Sequence, residues 1–417
     1  MHAEILTIGD ELCRGEIVDS NSAYLAARLW DLDITTRWMT SCCDDEQDLA
    51  AALMQAVGRA DLVITSGGLG PTEDDLTVEV AARLAGAEVT IDDSSQKKLE
   101  AVFAGRIEVT STQLRQVRVP AGSRVLGNPL GLAPCFEVTL GSVPVICLPG
   151  FPREIAGIFE GTLTRHLREL REARGNVERI ARQIYRVFGR GESQIATACA
   201  GLVDGAPGTS IHYQVKFPEV LVKLVVRDRD AAAAEARLAG LDHSLRERLG
   251  RYLYGSGDET LVERVIRRAR AAGVTIATAE SCTGGMLGEL LTRMPGSSAA
   301  YVGGAITYSN AEKVRQLGVT PETLEAHGAV SEQTVTEMAR GARERTGATL
   351  AVSVSGVAGP DGGSPDKPVG TVWLALASPS GIETRKLAWP STRDQIRLLA
   401  AWWALKMIDT AIEGAAS

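Results

Sequence analysis

The sequence predicts a mixed α/β protein of three modules. These are an α/β domain at 1–168, a small α+β module at 169–252 and a C-terminal α/β domain at 253–417. Three observations predict this division. Over the first ~165 residues short apolar runs alternate with helical patterns, as βα units around a mostly parallel sheet do. The composition then shifts to the arginine-dense run "RHLRELREARGNVERIARQIYRVFGRG" at 165–191. Strand-to-glycine-turn units return after residue 258, and 417 residues exceed one ordinary core.

The elements follow in order. "EILTIG" reads as a buried strand, and "SNSAYLAARLWDL" as a helix capped by Ser20, Asn21 or Ser22. "ADLVITSGG" is a second strand with the helix "LTVEVAARLAGA" behind it, and "VPVICLPG" is a third. Each turn follows the C-terminal end of a strand, where open α/β sheets place ligands. The arginine run reads as a helix with a solvated, ion-paired face, a break at Gly175-Asn176, and a strand. "SQIATACAGL", "TSIHYQVKF" and "EVLVKLVVRD" give a helix and two strands, and an Ala-rich helix runs to Leu249. In the last module "TLVERVIRRARAAG" is a helix, "VTIATAES" a strand and "CTGGMLGELLTRM" a helix. "ATLAVSVSGVAGPDGG" is a strand with a glycine turn, "GTVWLALAS" and "GIETRKLAW" pair, and "TRDQIRLLAAWWALKMIDTAI" closes as a helix.

Apolar residues make up 45% and charged residues 23%, a globular composition. A formal net charge of -8 excludes nucleic-acid binding by bulk electrostatics. The seven cysteines form no CxxC pair and the five histidines are scattered, so no soft-metal site is visible. Dispersed cysteines, an opening "AEILTIG" without a charged leader, and no apolar run near ~20 residues make a cytoplasmic protein without membrane contact the expectation.

"SGGLGPTEDD" at 66–75 lacks the Lys-Ser/Thr of a phosphate loop, and GxGxxG is absent from the first strand's end. A glycine-rich turn alone is ordinarily a tight turn. A second acidic turn, "GDELCRGEIVDSN", follows the neighbouring strand, so Asp10, Glu11, Asp19, Asp74 and Asp75 are expected to converge. Carboxylates tolerate a phosphate when a hard cation lies between them. The pattern therefore points to a metal-bridged phosphate or pyrophosphate with backbone amides opposite.

"TIGDELCRGEIVDSN", "TSGGLGPTEDDLT", "NPLGLAP" and "LPGFPREI" resemble the molybdopterin-binding-like domain of the competence/damage-inducible protein A (CinA) family. The resemblance implies hydrolysis of ADP-ribose to AMP and ribose 5-phosphate with a divalent metal, Mg, Co or similar. It carries the metal role to Asp10, Glu11, Asp19, Asp74 and Asp75, and substrate binding to Gly67, Gly68, Gly70, Asn128 and Glu154. Cys135 and Cys43 stand where that family usually has glycine, and are expected to narrow the pocket.

The family's central segment is similar to a KH-type RNA-binding fold, whose GxxG loop clamps a nucleotide backbone with basic neighbours. The candidate here, Gly205-Ala206-Pro207-Gly208, follows Asp204 and contains no Lys or Arg. A spacer or dimerisation module is expected, hence a homodimer, and nucleic acid is not expected as a partner.

"TAESCTGGMLGELL" places Ser281, Thr283, Gly284 and Gly285 at a helix start, an ordinary cap that is also anion-ready. "PGSSAAYVGGAITYSNAEKVRQLGV" adds Ser298, Tyr308 and Lys313, which taken singly read as a turn serine, a core tyrosine and a solvated lysine. With "HGAVSE", "SVSGVAGPDGGSPDKPVGTVW" and Arg393, these segments look like the nicotinamide-mononucleotide (NMN) deamidase domain of the same family. That implies hydrolysis of NMN to nicotinic acid mononucleotide and ammonia, without a cofactor. Amide hydrolysis needs a nucleophile, a base, an acid for the amine and oxyanion donors. His327 is the sole histidine beside these motifs, so a Ser-Lys arrangement follows. Ser298 is assigned as nucleophile, with Lys313 and Tyr308 as base and relay. Ser281, Thr283, Gly284, Ser355 and Gly356 would hold ribose, phosphate or carboxamide, and Arg393 the 5′-phosphate. The rival readings are a ligand-binding N-terminal domain without turnover and a nucleic-acid-associated competence factor.

Overall fold

The computed structural model describes residues 1–104, 109–175 and 177–415. Its N-terminal sheet grows from β1 (His2–Ile8), flanked in parallel by β2 (Thr35–Cys42) and β3 (Leu62–Ser66). A separate pair, β4 (Val89–Ile91) and β5 (Arg118–Pro120), stands outside that sheet. The sheet is completed by β6 (Arg124–Leu126), β7 (Cys135–Leu140) and β8 (Val143–Leu148), in the order β2-β1-β3-β8-β7-β6. β8 is parallel to β3, whereas β7 and β6 run antiparallel. Side chains alternate across the pleat. Ile5, Ile64 and Ile146 share a register line and one core, while Leu6, Val63 and Val145 belong to the core on the other face. Because β1, β2, β3 and β8 are parallel, the turns after Ile8, Cys42, Ser66 and Leu148 leave at the same edge.

Two local expectations are corrected here. The helix Ser20–Trp30 is capped by Asp19, whose carboxylate accepts from the Ser22 N–H at 2.8 Å, and not by one of the serines or Asn21. The arginine-rich helix Thr164–Ala173 is not merely solvated: Arg171 is buried, donating to the Leu32 carbonyl (2.6 Å) and pairing with Asp33 at 2.8 Å. The break comes at Gly175 (φ 74°); Asn176 lies outside the described residues.

The chain forms two compact units, Met1–Ile180 with Arg227–Ala234, and Ala181–Val226 with Glu235–Ser417. The second opens with β9 (Arg179–Phe188), β10 (Thr209–Lys216), β11 (Glu219–Asp228) and β12 (Leu253–Ser256), ordered β10-β11-β9-β12. Gly205 and Gly208 take positive φ in the turn entering β10, where the Pro207 carbonyl accepts from Arg237 at 2.8 Å. Phe188 at the end of β9 packs against Trp402 and Trp403 of the last helix. The middle module is therefore built onto the C-terminal domain and is not a free spacer.

The C-terminal sheet has β13 (Ile276–Glu280), β14 (Tyr301–Ile306), β15 (Leu350–Gly356), β16 (Thr371–Ser378) and β17 (Gly381–Ala388), ordered β14-β13-β15-β16-β17. β14, β13 and β15 are parallel, and β16 and β17 return antiparallel. Helices Leu261–Ala272 and Arg393–Ala415 cover one face, and Glu332–Thr346 the other. The turns after Glu280, Ile306 and Gly356 thus meet at one edge. Among the described residues no helix is long and apolar enough to cross a membrane.

Candidate active sites

At the N-terminal sheet edge a cavity of about 250 Å³ is lined by Glu11, Asp44, Gly68, Asp74, Asp75 and Glu154, among others. The glycines serve close approach. Gly67 (φ 114°) has no room for a Cβ, which would lie 2.3 Å from the Ile8 carbonyl oxygen, and its N–H is bonded to the Leu148 carbonyl at 3.1 Å. It is thus committed to the sheet and is not a bare amide. Gly68 faces the Thr77 hydroxyl, and Gly70 lies against Asp75, so the turn draws that carboxylate inward. Asp75 also accepts from the Thr72 N–H at 2.9 Å.

Of the five expected acids, Glu11, Asp74 and Asp75 line the cavity. Asp10 instead pairs with Arg14 and accepts from the Asp44 N–H at 3.3 Å. Asp19 is committed to its cap and to the Thr7 hydroxyl at 3.2 Å. Asp44, which the sequence reading passed over, joins the site from the end of β2. Burial raises its pKa, its hydrogen bond from the Asp10 N–H opposes that, and Asp10, Glu11 and Asp74 push it up further. The signal for it was an acidic pair, Asp44-Asp45, directly after a strand beside β1.

Asn128 is buried, donating to Glu154 at 2.7 Å and the Ala133 carbonyl at 2.9 Å while accepting from the Gly131 N–H at 2.9 Å. It orients Glu154 and shapes its own turn. Cys135 is wholly buried in the sheet and Cys43 lies outside the lining, so neither narrows the cavity. All the acidic donors are hard oxygens. Among the described residues no three His, Cys, Asp or Glu side chains are grouped to hold an ion by themselves. Mg²⁺ commonly takes one or two carboxylates with water and substrate phosphate, and the cavity fits an ion completed in that way.

The second site is a cavity of about 180 Å³ at the C-terminal ends of β13 and β15. Lys313 reaches it from the helix Asn310–Leu317, which is capped by Ser309. The side chain is buried, and Nζ donates to Ser281 Oγ (3.0 Å) and to the Thr307 (2.8 Å) and Tyr308 (3.4 Å) carbonyls. Burial pushes its pKa down, with the Cys282 thiol opposing. Tyr308, 63% exposed, stands at the rim, where its hydroxyl accepts from Arg393 at 3.1 Å. Arg393 also donates to the Gly359 carbonyl at 2.6 Å. Ser355 donates to the Ala329 carbonyl at 2.7 Å, and Gly356 lines the cavity where a Cβ would lie 2.6 Å from Val372.

Two C-terminal expectations change. The start of the helix Met286–Thr292 is not open to a substrate anion, because the buried Glu280 carboxylate fills it. Glu280 accepts from the N–H groups of Gly285 (2.9 Å), Leu287 (3.1 Å) and Gly288 (2.9 Å). Gly284 (φ 59°) and Gly285 (φ 96°) make the turn that aims these amides back at it. Thr283 is buried beside them, its hydroxyl without a protein partner. Replacing Glu280 by Ala would remove the shared partner of three helix-start N–H groups, one of them buried, and should lower the unfolding free energy by about 3 kcal/mol in denaturant titration.

The other correction concerns Ser298, which is exposed in the single turn Ser297–Ala299 before β14. The next residue but one, Ala300, bonds through its carbonyl to Ile276 at the start of β13. Ser281 follows the end of that strand, five residues on and roughly 17 Å away at ~3.3 Å per residue. Ser298 is therefore outside the reach of Lys313, and the serine that Lys313 touches is Ser281.

Comparison with known proteins follows the same division. A family model of the CinA C-terminal domain matches residues 258–412, one of a probable molybdopterin binding domain 4–169, and one of the damage-inducible protein CinA KH domain 182–255. A CinA-like protein of Anaeromyxobacter dehalogenans (strain 2CP-C) is 42% identical over 421 residues, covering 99% of this chain and 100% of the relative. A putative competence-damage inducible protein of Symbiobacterium thermophilum is 42% identical over 98% of both chains. Among solved structures, the competence/damage inducible protein CihA from Agrobacterium tumefaciens is 43% identical over 37% of this chain and 93% of its own, with a TM-score of 0.36. With three domain models in sequence and full-length relatives at this identity, the chain belongs to the CinA family, joining a molybdopterin-binding-like domain, a CinA KH module and a CinA C-terminal domain.

Proposed function

We propose that the C-terminal site hydrolyses the carboxamide of NMN, giving nicotinic acid mononucleotide and ammonia. The observation that carries this reading is a buried lysine hydrogen-bonded to a serine that lines the cavity. As the neutral amine, Lys313 takes the Ser281 proton while Oγ bonds to the carboxamide carbon. The protonated lysine returns that proton to the departing nitrogen, ammonia leaves, and Ser281 carries the acyl group as an ester. Water, giving its proton to the same lysine, attacks the ester carbon. The bond to Oγ breaks, and the lysine hands the proton to Oγ, restoring Ser281 and the neutral amine. The cavity volume suits the ring and its carboxamide, with the phosphate left at the rim beside Tyr308 and Arg393. Each terminal nitrogen of Arg393 has one protein partner and keeps a further N–H for a phosphate oxygen.

The active form of Lys313 is the neutral one, and burial favours it. The rate constant kcat/KM should therefore rise with pH and level off at an apparent pKa below the ordinary ~10.4 of lysine. A profile that is flat or falls through that range would remove Lys313 as the base.

For the N-terminal site we propose ADP-ribose hydrolysis to AMP and ribose 5-phosphate with a divalent cation held by one or two of the lining carboxylates Glu11, Asp44, Asp74 and Asp75, together with water and the substrate phosphates. The supporting observation is that Glu11, Asp44, Asp74 and Asp75 line one cavity, where a cation would relieve their mutual repulsion. When bound, the cation neutralises phosphate charge and polarises the phosphoryl oxygens. Asp74→Asn should lower turnover by at least ~100-fold, and excess EDTA should abolish it. Binding of ADP-ribose without AMP release would leave this domain as a binding module. We also propose a homodimer, supported by exposed Val302 and Ile306 on the edge strand β14. Sedimentation of a 44.2 kDa species at micromolar concentration would argue against it.

A further inference from the structure

The chain on either side of Ser281 is held by different elements. On the strand side, the Ser281 N–H donates to the Val354 carbonyl of β15 at 2.9 Å. On the other side the chain turns away from the sheet, and the Gly284 N–H closes that turn on the Ser281 carbonyl at 3.1 Å. Cys282 and Thr283 inside the turn are buried, and the Thr283 hydroxyl has no partner among the described residues. Their carbonyls are held by Arg397 of the last helix, whose Nε donates to Cys282 at 3.2 Å and Nη2 to Thr283 at 2.8 Å. The Thr283 carbonyl takes a second, longer bond from the Met286 N–H at 3.3 Å. The ion pair of Arg397 with Asp394, at 3.7 Å and open to solvent, competes little with these bonds.

We propose, on the deamidase reading of this site, that Arg397 is a positioning residue that fixes the turn carrying Ser281 and so aims Oγ at the carboxamide carbon. One planar guanidinium bonded to two successive carbonyls sets the orientation of both peptide units as well as their distance. With β15 on one side and Arg397 on the other, the backbone of Ser281 is fixed before a substrate enters, and attack needs that alignment. Arg397 is not among the residues lining the cavity, so it acts through the serine's backbone. It stands one helical turn beyond Arg393, whose nitrogens reach the Gly359 carbonyl and the Tyr308 hydroxyl at the rim. The start of one helix therefore carries two separable tasks, Arg393 for the substrate and Arg397 for the nucleophile.

Steady-state ammonia release from NMN by the full-length protein tests this, with thermal melting to confirm that each variant is folded at the assay temperature. Arg397→Met keeps the apolar stem and should lower kcat by ~10²-fold with KM little changed, the cost of a misplaced nucleophile. Arg397→Lys keeps a charged donor and should recover part of that loss. The apparent pKa of the pH profile should stay at the wild-type value, because Lys313 keeps its carbonyl partners. Arg393→Met should act in the other direction, chiefly raising KM. A kcat for folded Arg397→Met within about twofold of wild type, or a loss confined to KM, would overturn the proposal. So would a loss accounted for by unfolded protein in both Arg397 variants. A wild-type chain that releases no ammonia would sink the deamidase reading, and the role of Arg397 with it.

Discussion

Ser281→Ala is expected to lower kcat for NMN deamidation by ~10⁴-fold or more, while Ser298→Ala leaves it within about twofold. The first change removes the hydroxyl at 3.0 Å from Lys313 Nζ, together with the bond that would carry the acyl group. Little rearrangement should follow, because Lys313 keeps its two carbonyl partners. Ser298 lies on an exposed turn at the other end of β13, where its hydroxyl has no path to the reacting carbon. Steady-state rates of ammonia release measure both variants. Loss with Ser298→Ala and activity with Ser281→Ala would invert the assignment.

The second large effect belongs to the base. Lys313→Met keeps length and apolar stem but removes the amine, and kcat should fall by ~10³-fold or more with KM little changed. An effect confined to KM would make Lys313 a binding group whose contact is equal in ground and transition states. The double variant with Ser281→Ala should be hardly worse than Ser281→Ala alone, since groups acting as one unit are not additive. The same substitution removes a buried amine, so a variant that folds but has lost turnover separates chemistry from stability.

The sequence was most readable where burial is complete on both faces. β1, β3 and β13 are almost wholly buried and announce themselves as short runs dominated by apolar and small residues. β2 escaped because "TTRWMTSC" alternates exposed and half-buried positions and carries an arginine. The cap of the first long helix was placed one to three residues too late, since Asp19-Ser20-Asn21-Ser22 offers four good caps in a row. The motifs brought Lys313, Tyr308, Arg393, Ser281 and Ser355 into one neighbourhood, and the structure gathers them around one cavity. What spacing could not reveal was which end of a strand a residue occupies. Ser298 enters β14 and Ser281 leaves β13, and only the parallel pairing of the two strands puts them at opposite edges. Glu280 was equally hidden, since an acid before a glycine turn reads as solvated until the helix amides are seen to enclose it.

The proposed carboxamide hydrolase works through Ser281 and Lys313 at the C-terminal site. Incubating the full-length protein with NMN in excess EDTA, and measuring ammonia and nicotinic acid mononucleotide together, tests it most directly. Equimolar formation of both products, undiminished by EDTA and absent with Ser281→Ala, is the predicted result. A folded wild-type protein that releases no ammonia above the blank, even at high enzyme concentration, would contradict it.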